Sequence, residues 1–134
     1  KFRGKDLNLD VWCYGDLLQY NDGDVCIGEH DLHWTDDGLH WNTYRKVTNV
    51  YEDTIGQYIG IKDKNGVEIY EGDIMNKKPG SKNRGVIRWN SEKCKFQCEW
   101  ISGATPSDIN MVLFKGGRVI GNIHDNSELI KKEE

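Results

Sequence analysis

The chain has 134 residues, 37% of them hydrophobic and 30% charged, with a formal net charge of −4 and a mean hydropathy of −0.74. That length suffices to bury a core without staples, and five tryptophans put the composition outside that of a disordered chain. No apolar run approaches the roughly 18 residues of a membrane span. No apolar stretch follows Lys1-Phe2-Arg3-Gly4-Lys5 either, so neither a membrane contact nor a signal peptide is expected, and the expected compartment is the cytoplasm.

Period-two patterning predicts strands along almost the whole chain. From Val11 to Leu18, Trp12, Tyr14, Asp16 and Leu18 fall on one face, and Val11, Cys13 and Leu17 on the other. Asn21-Asp22-Gly23-Asp24 supplies a turn before a strand at Val25-Cys26-Ile27. His33-Trp34 and Leu39-His40-Trp41 flank Asp36-Asp37-Gly38 as a hairpin, because Asp-Gly accepts the positive φ of a tight turn. Val47 to Tyr51 is β-branched and aromatic, which suits a short strand. Residues 1–52 therefore read as an N-terminal β meander.

The stretch from Gly56 to Ile74 is the most informative in the chain. Tyr58 to Lys62 pairs across Lys64-Asn65-Gly66 with Val67 to Tyr70, and Gly72-Asp73 turns into Ile74-Met75-Asn76. Pro79-Gly80 makes 77–83 a loop. Strands at Gly85 to Trp89 and Lys95 to Ile101 follow around Asn90-Ser91, then Met111 to Phe114 and Arg118 to Ile123 around Lys115-Gly116-Gly117. A helix over Asp108 to Phe114 is the alternative to the third of these. Asp125 or Asn126 caps a short helical turn at Ser127 to Ile130. The expectation is a mainly β chain in which 53–134 forms an SH3-like barrel with a short C-terminal helical turn, since closing a sheet removes exposed edges.

The segments Lys1 to Lys5, Trp12-Cys13-Tyr14-Gly15-Asp16-Leu17, Gly56 to Ile74, Gly85-Val86-Ile87 and Val119 to Leu129 together resemble the YopX family of bacteriophage and prophage proteins. They occur in the family's order from one end of the chain to the other. Ser127 stands where the family often carries proline, and residues 21–46 and 76–83 match nothing in the pattern. The resemblance implies an SH3-like, mainly β fold and a phage or prophage origin, hence a bacterial host cytoplasm. It implies no activity.

Charge is unevenly spread. Residues 76–95 carry Lys77, Lys78, Lys82, Arg84, Arg88, Lys93 and Lys95 against Glu92 alone. Residues 21–40 carry Asp22, Asp24, Glu29, Asp31, Asp36 and Asp37 with no lysine or arginine. A cationic loop beside an aromatic is how small barrels hold single strands, so Lys77, Lys78, Lys82, Arg84, Arg88 and Trp89 are the candidate contacts to nucleic acid or to a protein partner. The acidic and basic segments are also suited to meeting between copies of the chain as a homo-oligomer. The net negative charge favours a protein partner or self-association over nucleic acid.

Chemistry is thinly represented. Cys13, Cys26, Cys94 and Cys98 read as buried thiols, with Cys94, Phe96 and Cys98 on one strand face. A zinc site would require Cys94 and Cys98 to meet two of His30, His33 and His40, without the paired knuckles that mark such sites. No nucleophile elbow and no phosphate-binding loop occurs. The expectation is a non-catalytic interaction or self-assembly module with no cofactor and no metal.

Overall fold

The computed structural model describes residues 1–35 and 38–131, with the backbone alone for 31–35 and 38–43. The chain is mainly β, every ladder is antiparallel, and it divides into two compact units, Lys1–Gln57 and Tyr58–Glu134.

The first unit is a meander. Strands β1 (Phe2–Lys5), β2 (Trp12–Gln19), β3 (Val25–Thr35) and β4 (Gly38–Asn49) lie in the order β4-β3-β2-β1. A 3₁₀ turn at Glu52–Thr54 leads into β5 (Gly56–Lys62), whose first residues, Gly56 and Gln57, pair with β1. Alternation sets the inward face of β2. Cys13 and Leu17 point to the same side and pack with Ile27, Val50, Phe2, Val25 and Ile55. The expected hairpin around Gly38 is present, with Thr35 opposite Gly38 and His33 opposite His40; Asp36 and Asp37 lie outside the described residues. Val47 to Asn49 is the end of β4, not a separate strand. Register shifts at Glu29/His30 and Asp31/His33 let a single long hairpin run through a stretch that reads as several short pieces.

In the second unit the remainder of β5 pairs with β6 (Glu68–Tyr70). The turn between them is organised by Asp63. Its carboxylate accepts the N–H groups of Asn65 at 2.9 Å and Val67 at 3.0 Å, while Gly66 sits at φ +79°. Asp63 also accepts the N–H of Val119 at 3.1 Å, which ties the hairpin to a strand 56 residues later. Gly72 takes φ +89°, and the Asp73 carboxylate, buried, accepts the Tyr70 N–H at 2.8 Å to close the corner.

Strands β7 (Asp73–Asn76), β8 (Arg84–Asn90), β9 (Lys95–Trp100), β10 (Ser107–Asp108) and β11 (Val119–Asn122) form a sheet in the order β10-β9-β8-β7-β11. Among the described residues no ladder joins its two edges. Ile69, Met75, Ile87, Cys98, Trp100, Ile109 and Val112 form the core beneath it.

Two local expectations are corrected. Met111 to Phe114 is not a strand but the end of helix α1 (Ile109–Phe114), in which Ile109, Val112 and Leu113 recur at helical spacing toward the core. A helical turn does form at Ser127–Ile130, yet the Asn126 side chain does not cap it and instead accepts the Asn122 N–H at 3.1 Å. Among the described residues no helix is long and apolar enough to cross a membrane.

Candidate functional site

Strand β8 distributes the candidate residues. Alternation puts Gly85, Ile87 and Trp89 on one face and Arg84, Val86 and Arg88 on the other. Ile87 is fully buried, so Trp89 continues the core outward to its rim, 49% exposed. Its indole stands edge-on to Phe96, the residue opposite it on β9, with ring centroids 5.0 Å apart. Arg88 pairs on its own face with Glu99 at 3.2 Å, both about half exposed. The tryptophan and the arginine expected to act together thus face opposite ways.

Trp89 and Phe96 line a 470 Å³ surface recess together with Ile59 and Ile61 of β5. Both isoleucines pack against the core. Two of the recess's polar side chains pair with each other. Lys95 pairs with Asp108 at 2.7 Å, and Gln97 donates to the same carboxylate at 3.1 Å. Together they hold the Asp108 carboxyl below its ordinary pKa, the lysine contributing most. The lining thus mixes apolar side chains with a paired Lys95–Asp108, a composition that a protein-binding patch can have.

Helix α1 carries that surface further. Asn110, at the recess edge, and Phe114 are four residues apart and share the outward stripe with Met111. Met111 is 51% and Phe114 82% exposed. Phe114 does not itself line the recess; it stands about one turn along α1 from Asn110, which does.

The remaining basic residues stand elsewhere. Lys77 lies 6.0 Å from the Trp100 ring centre, and Lys78 is exposed in the loop before β8. Lys82 and Arg84 line a second cleft, of 440 Å³, together with Lys131. Arg84 Nη1 donates to the Leu129 carbonyl at 3.2 Å, while its Nε is buried with no hydrogen-bond partner among the described residues. The six candidates therefore divide between a recess, a cleft, an ion pair and a loop.

The cysteines divide as well. Cys98 is fully buried, and burial, with Glu99 adding to it, pushes its thiol up to about 12. Cys13 and Cys26 are buried and raised, burial again dominating. Cys94 corrects the expectation of four buried thiols. It occupies the β8–β9 turn at φ +53°, exposed, at the edge of the Trp89 recess. Among the described residues no group of three His, Cys, Asp or Glu side chains is placed to hold a metal. The side chains of His33 and His40 lie outside the described ones.

In the first unit His30 and the Tyr44 hydroxyl both contact the Asp16 carboxylate, the latter at 3.2 Å. Desolvation and that carboxylate raise the Tyr44 pKa. The Tyr44 ring lies over Gly28, where a Cβ would come within 2.6 Å of it, so packing accounts for the cluster.

Sequence reasoning missed Ile59, Ile61, Asp108, Phe114 and Lys131. The helical spacing of Ile109, Val112 and Leu113 was the signal for Phe114.

Comparison with known proteins adds the family. The family model described as YopX protein matches residues 1–131. The crystal structure of protein EF1440 from Enterococcus faecalis is similar at a TM-score of 0.65 and 24% identity, over 98% of this chain and 97% of that one. The crystal structure of protein yopX from Bacillus subtilis is similar at a TM-score of 0.48 and 17% identity, over 99% and 97%. No curated protein matches the chain. The first of these likenesses supports the fold, and the extent of the family match establishes that the chain belongs to the YopX family.

Proposed function

We propose that the chain is a non-catalytic interaction module of a phage or prophage, acting in the bacterial cytoplasm, and that its docking point is the Trp89 recess with the α1 stripe beside it. The partner that fits is a second copy. The observation that carries this reading is Phe114, 82% exposed on the same helix stripe whose first turn borders the Trp89 recess. A knob and a recess on one surface are self-complementary, so a two-fold axis lets each copy insert its Phe114 beside the other's Trp89.

The magnitudes set the strength. Burying an aromatic or aliphatic side chain gains about 1.5–3 kcal/mol. Two reciprocal phenylalanines and tryptophans stand against a cost of association of about 4–15 kcal/mol. The two ranges overlap, so these four side chains support a dimer no tighter than about micromolar.

Sedimentation velocity over a concentration series tests it. The wild-type chain is expected to shift from monomer to dimer as concentration rises, and Phe114→Ala to remain monomeric with an unchanged unfolding midpoint. A wild-type chain that stays monomeric throughout, or a Phe114→Ala variant that dimerises equally well, contradicts the proposal.

Nucleic acid is the second reading, and it rests on Lys82 and Arg84, which have no carboxylate partner among the described residues. Against it, Trp89 lies on the opposite face of β8 from Arg84, so base stacking and phosphate contact would draw on different surfaces. A gel shift at low salt, abolished by changing Lys77, Lys78, Lys82 and Arg84 to Glu, would favour it over docking.

A further inference from the structure

We infer that the cleft lined by Lys82, Arg84 and Lys131 binds a phosphate group. The cleft occupies 440 Å³, and among the described residues its lining includes three cations and no carboxylate. Two other cations of this unit have carboxylate partners, Arg88 with Glu99 and Lys95 with Asp108. Among the described residues Lys82, Arg84 and Lys131 have no such partner. Three like charges converging on a concave surface repel one another, and an anion placed between them relieves that repulsion where low-dielectric walls strengthen the attraction.

The donors suit an oxyanion. Arg84 is fixed in place by the bond from Nη1 to the Leu129 carbonyl, so part of its guanidinium is oriented before any ligand arrives. Its Nε is buried, with no hydrogen-bond partner among the described residues, so it adds positive charge behind the lining rather than a contact to the ligand. Ser102 contributes a hydroxyl and Asn83 a side-chain amide on the same lining. The two lysines are exposed and able to close over the anion as point charges. Leu129 supplies an apolar wall but no aromatic face, so the cleft recognises the phosphate and not a base stacked beside it.

The ligand's phosphate comes either from a small phosphate ester or from a nucleic-acid backbone, and one set of titrations distinguishes them. Inorganic phosphate, a nucleoside monophosphate and a short single-stranded DNA are each titrated into the intact ¹⁵N-labelled chain at constant ionic strength. Saturable shifts are expected at the Arg84 side-chain Nε–H and the Ser102 and Asn83 amides, with sulfate competing and chloride producing none. The double variant Lys82→Ala, Lys131→Ala, whose side chains are exposed, is expected to weaken phosphate binding at least tenfold while the remaining spectrum is unchanged. DNA binding at least tenfold tighter than the monophosphate identifies a backbone ligand, and equal affinity a small ester; either supports the cleft. Shifts that never saturate, that chloride reproduces, or that persist in the double variant overturn it. Sedimentation of the double variant keeps the outcome separate from self-association, which it is expected to leave unchanged.

Discussion

Asp63 does more for this fold than its place in a hairpin turn suggests. One buried carboxylate serves the N–H groups of Asn65, Val67 and Val119, joining the β5–β6 turn to β11. Truncating it leaves three donors without their acceptor, two in the turn and one in a distant strand. Asp63→Ala is expected to lower stability by about 2–4 kcal/mol, because unmade buried hydrogen bonds cost more than made ones contribute. Urea unfolding at an unchanged m-value would register this as a lower midpoint. The four thiols offer a second test at this scale. Cys94 is exposed in a turn, whereas Cys13, Cys26 and Cys98 are buried with raised pKa values. In the folded chain iodoacetamide is expected to modify Cys94 rapidly and the other three only on unfolding, as peptide mapping would show. Rapid labelling of Cys98 would contradict the packing of the second core.

At the scale of elements, most of the strands and turns are legible in the sequence. Asn65-Gly66 and Gly72-Asp73 are turn chemistry that few other conformations explain, and the hairpin and corner formed there. Less legible was α1. Four residues, Met111 to Phe114, fit a period of two as readily as a period of 3.6. The choice matters because a strand places Val112 and Phe114 on the same face, whereas the helix buries Val112 and exposes Phe114. That ambiguity hid half of the candidate docking surface. The other hidden part was Asp108, whose meeting with Lys95 depends on β9 and β10 pairing across an irregular loop. Because Lys95 and Gln97 hold the Asp108 pKa below its ordinary value, the contact contributes in full above the ordinary carboxylate range. It is lost as pH falls through the lowered pKa. Carboxyl NMR titration is expected to show the Asp108 value rising toward the ordinary one in Lys95→Ala; no movement would mean the ion pair does not persist in solution.

On the scale of the whole molecule, the uneven charge of the sequence does not translate into one basic face. Alternation along β8 separates Trp89 from Arg84 and Arg88, and Glu99 neutralises the latter. No reading of charge along the chain predicts that division, since it follows from strand parity and from which residues stand opposite on β9. What emerges is a pair of sites with different chemistry in the second unit. The recess near Phe114 is the one proposed to take a second copy, and the cleft of Lys82, Arg84 and Lys131 the one proposed to take phosphate. The first unit has a core of Cys13, Ile27 and Val50 with half-buried residues around them, and recesses of its own, one lined by Leu7, Val25, Val50 and Tyr51 and one by Leu9 and Val47 among polar residues.

The docking claim is tested most directly by contacts between copies. A sample mixed from ¹³C-labelled and unlabelled chain, at a concentration where sedimentation finds the dimer, reports only cross-relaxation between different molecules in a filtered experiment. Intermolecular signals from the Phe114 ring to Trp89 and Ile59 are the predicted result. A dimer whose intermolecular signals arise elsewhere, with none at Phe114, would contradict the account.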